Sequence, residues 1–193
     1  MKKIIILLVS IGTISLAQGQ GNIKIDTAKS MIKWRGSNLF KFNQHYGTVK
    51  FLSGEISMNG SSISGGKFVV DMNSIMNTDG KYNEMLVSHL KHRDFFDVEK
   101  HQTAKLEISQ IKPGDNGQME IDALLTIKGI SKPIKFSSTI EKGPRETLFK
   151  SKFIIDRTRW GIRYESKGIV GSVKEGIISD AIEFEVIVVF RLC

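Results

Sequence analysis

This chain has almost no cysteine. Cys193, the last of 193 residues, is the only one. One thiol forms no internal disulfide, so the fold must stand on its core. At the extreme terminus it has no pocket to activate it for catalysis, although it could join two chains, which leaves a homodimer open. Proline is scarce as well, and its three copies, Pro113, Pro133 and Pro144, all fall at turn signals. HExxH and CxxC metal patterns, a GxSxG elbow and a glycine-rich phosphate loop are all missing. The basic residues are dispersed and not interleaved with aromatics, which argues against a nucleic-acid surface. After residue 17 no apolar run reaches membrane-spanning length. No catalytic residue, metal ligand or cofactor is therefore assigned.

What is present begins with a targeting segment over residues 1–17. Lys2 and Lys3 supply a basic start, Ile4 to Ile14 an apolar run too short to span a bilayer, and Ser15-Leu16-Ala17 the small residues of a cleavage site. Ala17-Gln18-Gly19 offers a second cut, after residue 19. No cysteine lies nearby to accept a lipid. The net charge is +8, or +6 without Lys2 and Lys3. That excess suits an anionic partner but equally a solvated lysine-rich surface.

The rest of the chain reads at period two. Met119, Ile121, Ala123, Leu125 and Ile127 alternate with Glu120, Asp122, Leu124, Thr126 and Lys128; Ala104, Leu106 and Ile108, then Ile134, Phe136, Ser138 and Ile140, alternate with polar neighbours. Each run fits a strand with one apolar and one wet face. Val49 and Phe51 share one parity and Ile56 and Met58 the other, which suggests a bulge at Gly54. Ile182, Phe184, Val186, Val188 and Phe190 fill one face near the C-terminus, and Ile187 and Val189 make the opposite face apolar, so that end should be covered. Turn signals at Asn59-Gly60-Ser61, Pro113 to Gly117, Lys128 to Pro133 and Glu141 to Pro144 divide the runs. Only Tyr82 to Lys91 has helical spacing. The expected fold is all-β: an antiparallel lipocalin-like barrel of about eight strands with one short helix, a two-sheet sandwich being the runner-up.

Candidate chemistry is sparse. His89 and His92, three apart on the helix, could hold a metal with Asp94, but packing and solvation explain them better. Arg157, Arg159 and Arg163 cluster with Trp160 and could meet an anionic headgroup, or simply make a turn with Trp160 plugging the barrel end. Phenylalanine is abundant, and small inward residues, Ala104, Ala123 and Ser138, leave room inside. A barrel of this size either fills its interior or keeps space for one small ligand. From parity and apolarity the lining of such a space is Phe42, Phe51, Phe68, Leu106, Ile108, Ile121, Ala123, Leu125, Phe136, Phe153 and Phe184, with Arg157, Arg159 and Arg163 toward a headgroup.

Several segments in order, Ser30 to Trp34, Gly47 to Phe51, Ser74 to Thr78, Ser88 to Val98, Leu125 to Gly129 and Asp156 to Ile162, resemble the YceI family. The resemblance runs from about Ile25 to Phe190, so one domain is expected over 22–193. It implies an antiparallel barrel that binds an elongated apolar lipid, a quinone or prenyl phosphate, in the periplasm or outside the cell, with no catalysis. Two rivals stand beside it: an enzyme on an apolar substrate with His89 or His45 as base, and an interaction module whose barrel is fully packed.

Overall fold

The computed structural model describes residues 20–38, 43–80, 83–166 and 177–192. The targeting segment with both its cut sites, Phe42, Tyr82 and Cys193 lie outside them. Among the described residues nine strands are formed: β1 (Gln20–Lys24), β2 (Met31–Ser37), β3 (Gln44–Asn59), β4 (Ser62–Asn77), β5 (Thr103–Pro113), β6 (Met119–Ile127), β7 (Ile130–Lys142), β8 (Thr147–Asp156) and β9 (Ala181–Phe190). Helix α1 (Asn83–Lys91) links β4 to β5. Every strand pairing is antiparallel, in the order β3-β2-β9-β8-β7-β6-β5-β4, and the pairing of β4 with β3 closes the ring. This is a closed eight-stranded barrel. β1 stands outside the ring, continuing the β2 edge along the far half of β3.

Alternation carries through as the inward face. Ile121, Ala123, Leu125 and Ile127 of β6 are buried while Glu120 and Leu124 are exposed. The two ends of the barrel differ. At the hairpin end are the connections β3–β4, β5–β6 and β7–β8. At the helix end are α1, the 3-10 turn Arg157–Trp160 and the β6–β7 turn. That turn has only Lys128 and Gly129, both at positive φ (51° and 70°), the geometry of a tight type I′ hairpin.

The parity switch in β3 is made at Leu52, not at Gly54. Phe51 pairs with Val70 and Ser53 with Val69, so Leu52 is the extra residue, and it is exposed. An added residue flips which side of the strand faces the core. Gly54 serves a different need: a Cβ there would lie 2.7 Å from Ile25 Cδ1 and 2.8 Å from Phe68 Cδ1. Gly65 and Gly66 are strand residues of β4, beside a second irregularity at Ser64.

The apolar outer end of β9 is covered. The β1–β2 connection crosses it, with Asp26 N–H donating to the Val189 carbonyl (2.7 Å) and Val189 N–H donating to Ser30 Oγ (2.9 Å). Val189 is buried as a result.

Candidate functional site: an apolar lumen

The hairpin end of the barrel is filled. Ile56, Met58, Ile108, Ile121, Ser138 and Phe190 are buried there. Toward the helix end the walls stand apart and leave a cavity of about 160 Å³. An apolar void of roughly this size stays dry and admits an apolar guest.

Its wall is built from cross-strand neighbours on inward parities. Trp34 pairs with Phe184 across β2–β9, and Phe184 with Phe153 across β8–β9. Phe136 stacks on Phe153 with ring centroids 4.8 Å apart, and Phe153 lies 5.4 Å from Phe184. These rings point inward yet stay only half-buried, because the space in front of them is empty. Phe51 and Phe68, 6.0 Å apart, form part of the wall on β3 and β4. Gly47 makes room for the Trp34 ring: a Cβ at Gly47 would sit 2.7 Å from Trp34 Cζ2 and 1.8 Å from the Met76 carbonyl oxygen. Leu90, Phe95 and Phe96 of α1 and the segment after it complete the lining.

Of the lining residues read from the sequence, Phe51, Phe68, Leu106, Leu125, Phe136, Phe153 and Phe184 come together around this cavity. Ile108, Ile121 and Ala123 share their strands and parity but do not border it; they lie toward the filled hairpin end and are buried. Trp34, Val70, Met72, Phe149, Ile182 and Val188 also line the space. The period-two pattern of β9 could have supplied the last two. Trp34 carried the same signal, since Ile32 and Trp34 alternate with Lys33 and Arg35.

Polar groups around the lumen are mostly occupied by one another. Ser138 and Ser151 share a buried hydrogen bond of 2.6 Å. Arg157 borders the cavity and is fully buried. Its Nε donates to the Ser179 carbonyl (3.0 Å), Nη1 to that of Ile162 (3.0 Å) and Nη2 to that of Ile178 (3.1 Å). Asp180 Oδ1 lies 3.5 Å from Nη2, and the guanidinium stacks over Phe95 at 5.4 Å. Burial pulls the Arg157 pKa below its ordinary value, opposed by Asp180, Asp156 and Glu165. This cation ties the residues after β8 to those before β9. Arg159 is exposed, donates to the Pro133 carbonyl (2.8 Å) and lies over the Trp160 ring; Arg163 is exposed. Neither borders the lumen. Trp160 is wholly buried, donates to the Leu125 carbonyl (3.1 Å) and does not border the lumen.

The histidines do not converge. His89 packs edge-on to Tyr164 at 4.5 Å, whereas His92 pairs with Asp94 at the surface (3.0 Å). His45 contacts Asp79 (2.7 Å) at the start of β3. Among the described residues no group of three or more His, Cys, Asp or Glu is placed to hold a metal ion. No helix among them is long and apolar enough to cross a membrane.

Comparison with known proteins agrees with this architecture. Solved structures with the same fold include BcnA of Burkholderia cenocepacia (TM-score 0.70, 19% identity, covering 86% of this chain and 98% of that one). Another is a polyisoprenoid binding domain from Saccharophagus degradans (TM-score 0.64, 14% identity, 88% and 98% covered). Among sequence relatives, a UPF0312 protein of Pseudomonas fluorescens is 26% identical over 167 residues, 80% of this chain and 84% of its own length. A UPF0312 protein of Ectopseudomonas mendocina is 32% identical over 89 residues, 46% of each. The family model of the YceI-like domain matches residues 23–190, nearly the whole barrel, and the chain belongs to that family.

Proposed function

We propose that this protein binds an elongated apolar lipid of the isoprenoid class, a quinone or a prenyl phosphate, with its tail in the lumen and its headgroup at the helix end near Arg159 and Arg163. One observation carries the reading: a hollow bounded by aromatic and aliphatic side chains in a barrel whose other end is filled. Each methylene moved from water into such a space contributes about 0.8 kcal/mol, so affinity needs no polar motif. The polyisoprenoid-binding description of the Saccharophagus degradans neighbour supports the choice of lipid. A long tail exceeds the void, so the chain extends through the helix end or spreads the walls. The role is carriage, not catalysis. The basic, apolar start of the sequence supports export, with residues 1–17 removed and a periplasmic or secreted protein left.

The test is native mass spectrometry of protein purified from its own envelope without detergent. An added mass that leaves on solvent extraction and proves to be an isoprenoid supports the reading. A clean mass, unchanged after incubation with envelope lipid extract, overturns it.

A further inference from the structure

Eight large apolar side chains remain exposed on the described surface, and they are unevenly placed. Six of them, Tyr46, Met76, Met85, Leu124, Ile130 and Ile154, belong to the half of the barrel nearer the helix end. Met85 is 67% exposed and Ile154 65%. The six are spread around that end on β3, β4, α1, β6, β7 and β8, an arrangement that suits an end placed against a membrane or a partner.

The charges at the β6–β7 corner select between these. Ile130 stands just beyond the Lys128–Gly129 turn, with Lys132 following and Arg159 held against Pro133. Lys128 Nζ donates to the Arg93 carbonyl (3.0 Å), which brings Arg93 to the same corner. Elsewhere on the barrel, several lysines face carboxylates: Lys67 and Glu107, Lys150 and Glu141, Lys112 and Lys135 with Asp122. At the corner, Lys128 and Arg159 are bonded to neutral carbonyls, which leave their charge uncompensated. Of the nearby acids, Asp94 pairs with His92 and Arg93, and Asp156 caps the 3-10 turn through the backbone N–H and hydroxyl of Thr158. Positive charge beside exposed apolar side chains is the signature of a surface that meets anionic lipid.

We infer that the helix end docks on an anionic lipid bilayer through the corner formed by Arg93, Lys128, Ile130, Lys132 and Arg159. This rests on the lipid-carrier reading, since a cargo that resides in bilayers must be collected and delivered there, and the hollow half of the barrel is the half that carries the corner. Docking itself needs no cargo, and the test uses none.

The mature chain, without residues 1–17, is sedimented with vesicles of phosphatidylcholine alone and with added phosphatidylglycerol, free of isoprenoid. Binding is expected to rise with the anionic lipid and to fall with salt. Each basic residue near such a surface is worth about fivefold in partition. Arg93→Gln with Lys132→Gln should therefore weaken anionic binding about 25-fold and leave binding to phosphatidylcholine alone unchanged. Ile130→Ser, an exposed change at a separate position, should weaken binding to anionic vesicles without altering its salt dependence. Equal binding of parent and double variant, or no preference for anionic vesicles, overturns the proposal and points to a protein partner for this end. Isoprenoid uptake by the double variant, measured with cargo delivered from cyclodextrin, should match the parent. Loss of uptake in parent and variant alike would count against the carrier reading alone.

Discussion

Phe153 and Phe184 face each other across β8–β9 with ring centroids 5.4 Å apart, and both keep a free face toward the lumen. Phe190, six residues further along β9, is 1% exposed. The same residue type at the same parity thus serves two purposes, packing at one end and bordering a void at the other.

That difference has a measurable consequence. Phe190→Ala should cost about 3–5 kcal/mol, the range for a fully enclosed ring. Phe153→Ala should cost less, because its ring already lacks neighbours on one side. Urea unfolding of both variants decides it, and equal losses would contradict an open lumen. Phe136→Asp or Leu106→Asp in a folded variant should abolish lipid uptake, and uptake retained would refute the lining.

Gly47 is constrained by space rather than by backbone freedom. A Cβ there meets the Met76 carbonyl oxygen at 1.8 Å and the Trp34 ring at 2.7 Å. Gly47→Ala should destabilise by about 1–3 kcal/mol, as overpacking does, and should shift the fluorescence of Trp34. Gly36→Ala, where nothing lies within 4 Å, should change stability by no more than about 0.5 kcal/mol.

Arg157 is a cation with no access to water, held by three carbonyls. Replacing it by Met keeps the bulk and strands those acceptors. A loss of about 3–5 kcal/mol is expected. Thermal unfolding tests it; a small loss would mean that the residues before β9 do not depend on this tie.

Acid should loosen the turn side of the hairpin end. The hydrogen bond from Lys29, then Arg191, holds the Glu146 carboxyl below its ordinary pKa; the bond from Lys135, then the charge of Lys112, does the same for Asp122. A carboxyl depressed in the folded state contributes stability above its unfolded pKa and loses it as pH falls through the folded value. Stability should therefore decline below the ordinary carboxylate range, and Glu146→Gln should flatten that limb. The effect is shallow and salt-sensitive because these groups meet water. An unchanged acid limb in the variant would assign it to other groups.

The helix and the strand faces could be read from sequence because both signals are local. Met119 to Ile127 alternates nearly residue by residue, and α1 (Asn83–Lys91) falls within the helical spacing read from Tyr82 to Lys91. The β3 bulge was legible as a parity switch between Phe51 and Ile56 but not as a position, since Gly54 attracts the assignment by composition while the register puts the extra residue at Leu52. Arg157 and Arg159 are two apart in sequence and read alike. Only the fold buries the first against three carbonyls and leaves the second over Trp160 in solvent.

By itself the sequence determined which side chains face the interior, because strand periodicity needs no knowledge of neighbours. It could not determine the level at which each sits along the barrel axis. That level depends on strand tilt and on the register set by the irregularities at Leu52, Ser64 and Ser109. Leu106 and Ile108 share one strand and one face, yet Leu106 borders a hollow and Ile108 lies in packed core. The tertiary structure alone decided where the barrel is empty, because a void is a property of what the opposite wall fails to supply.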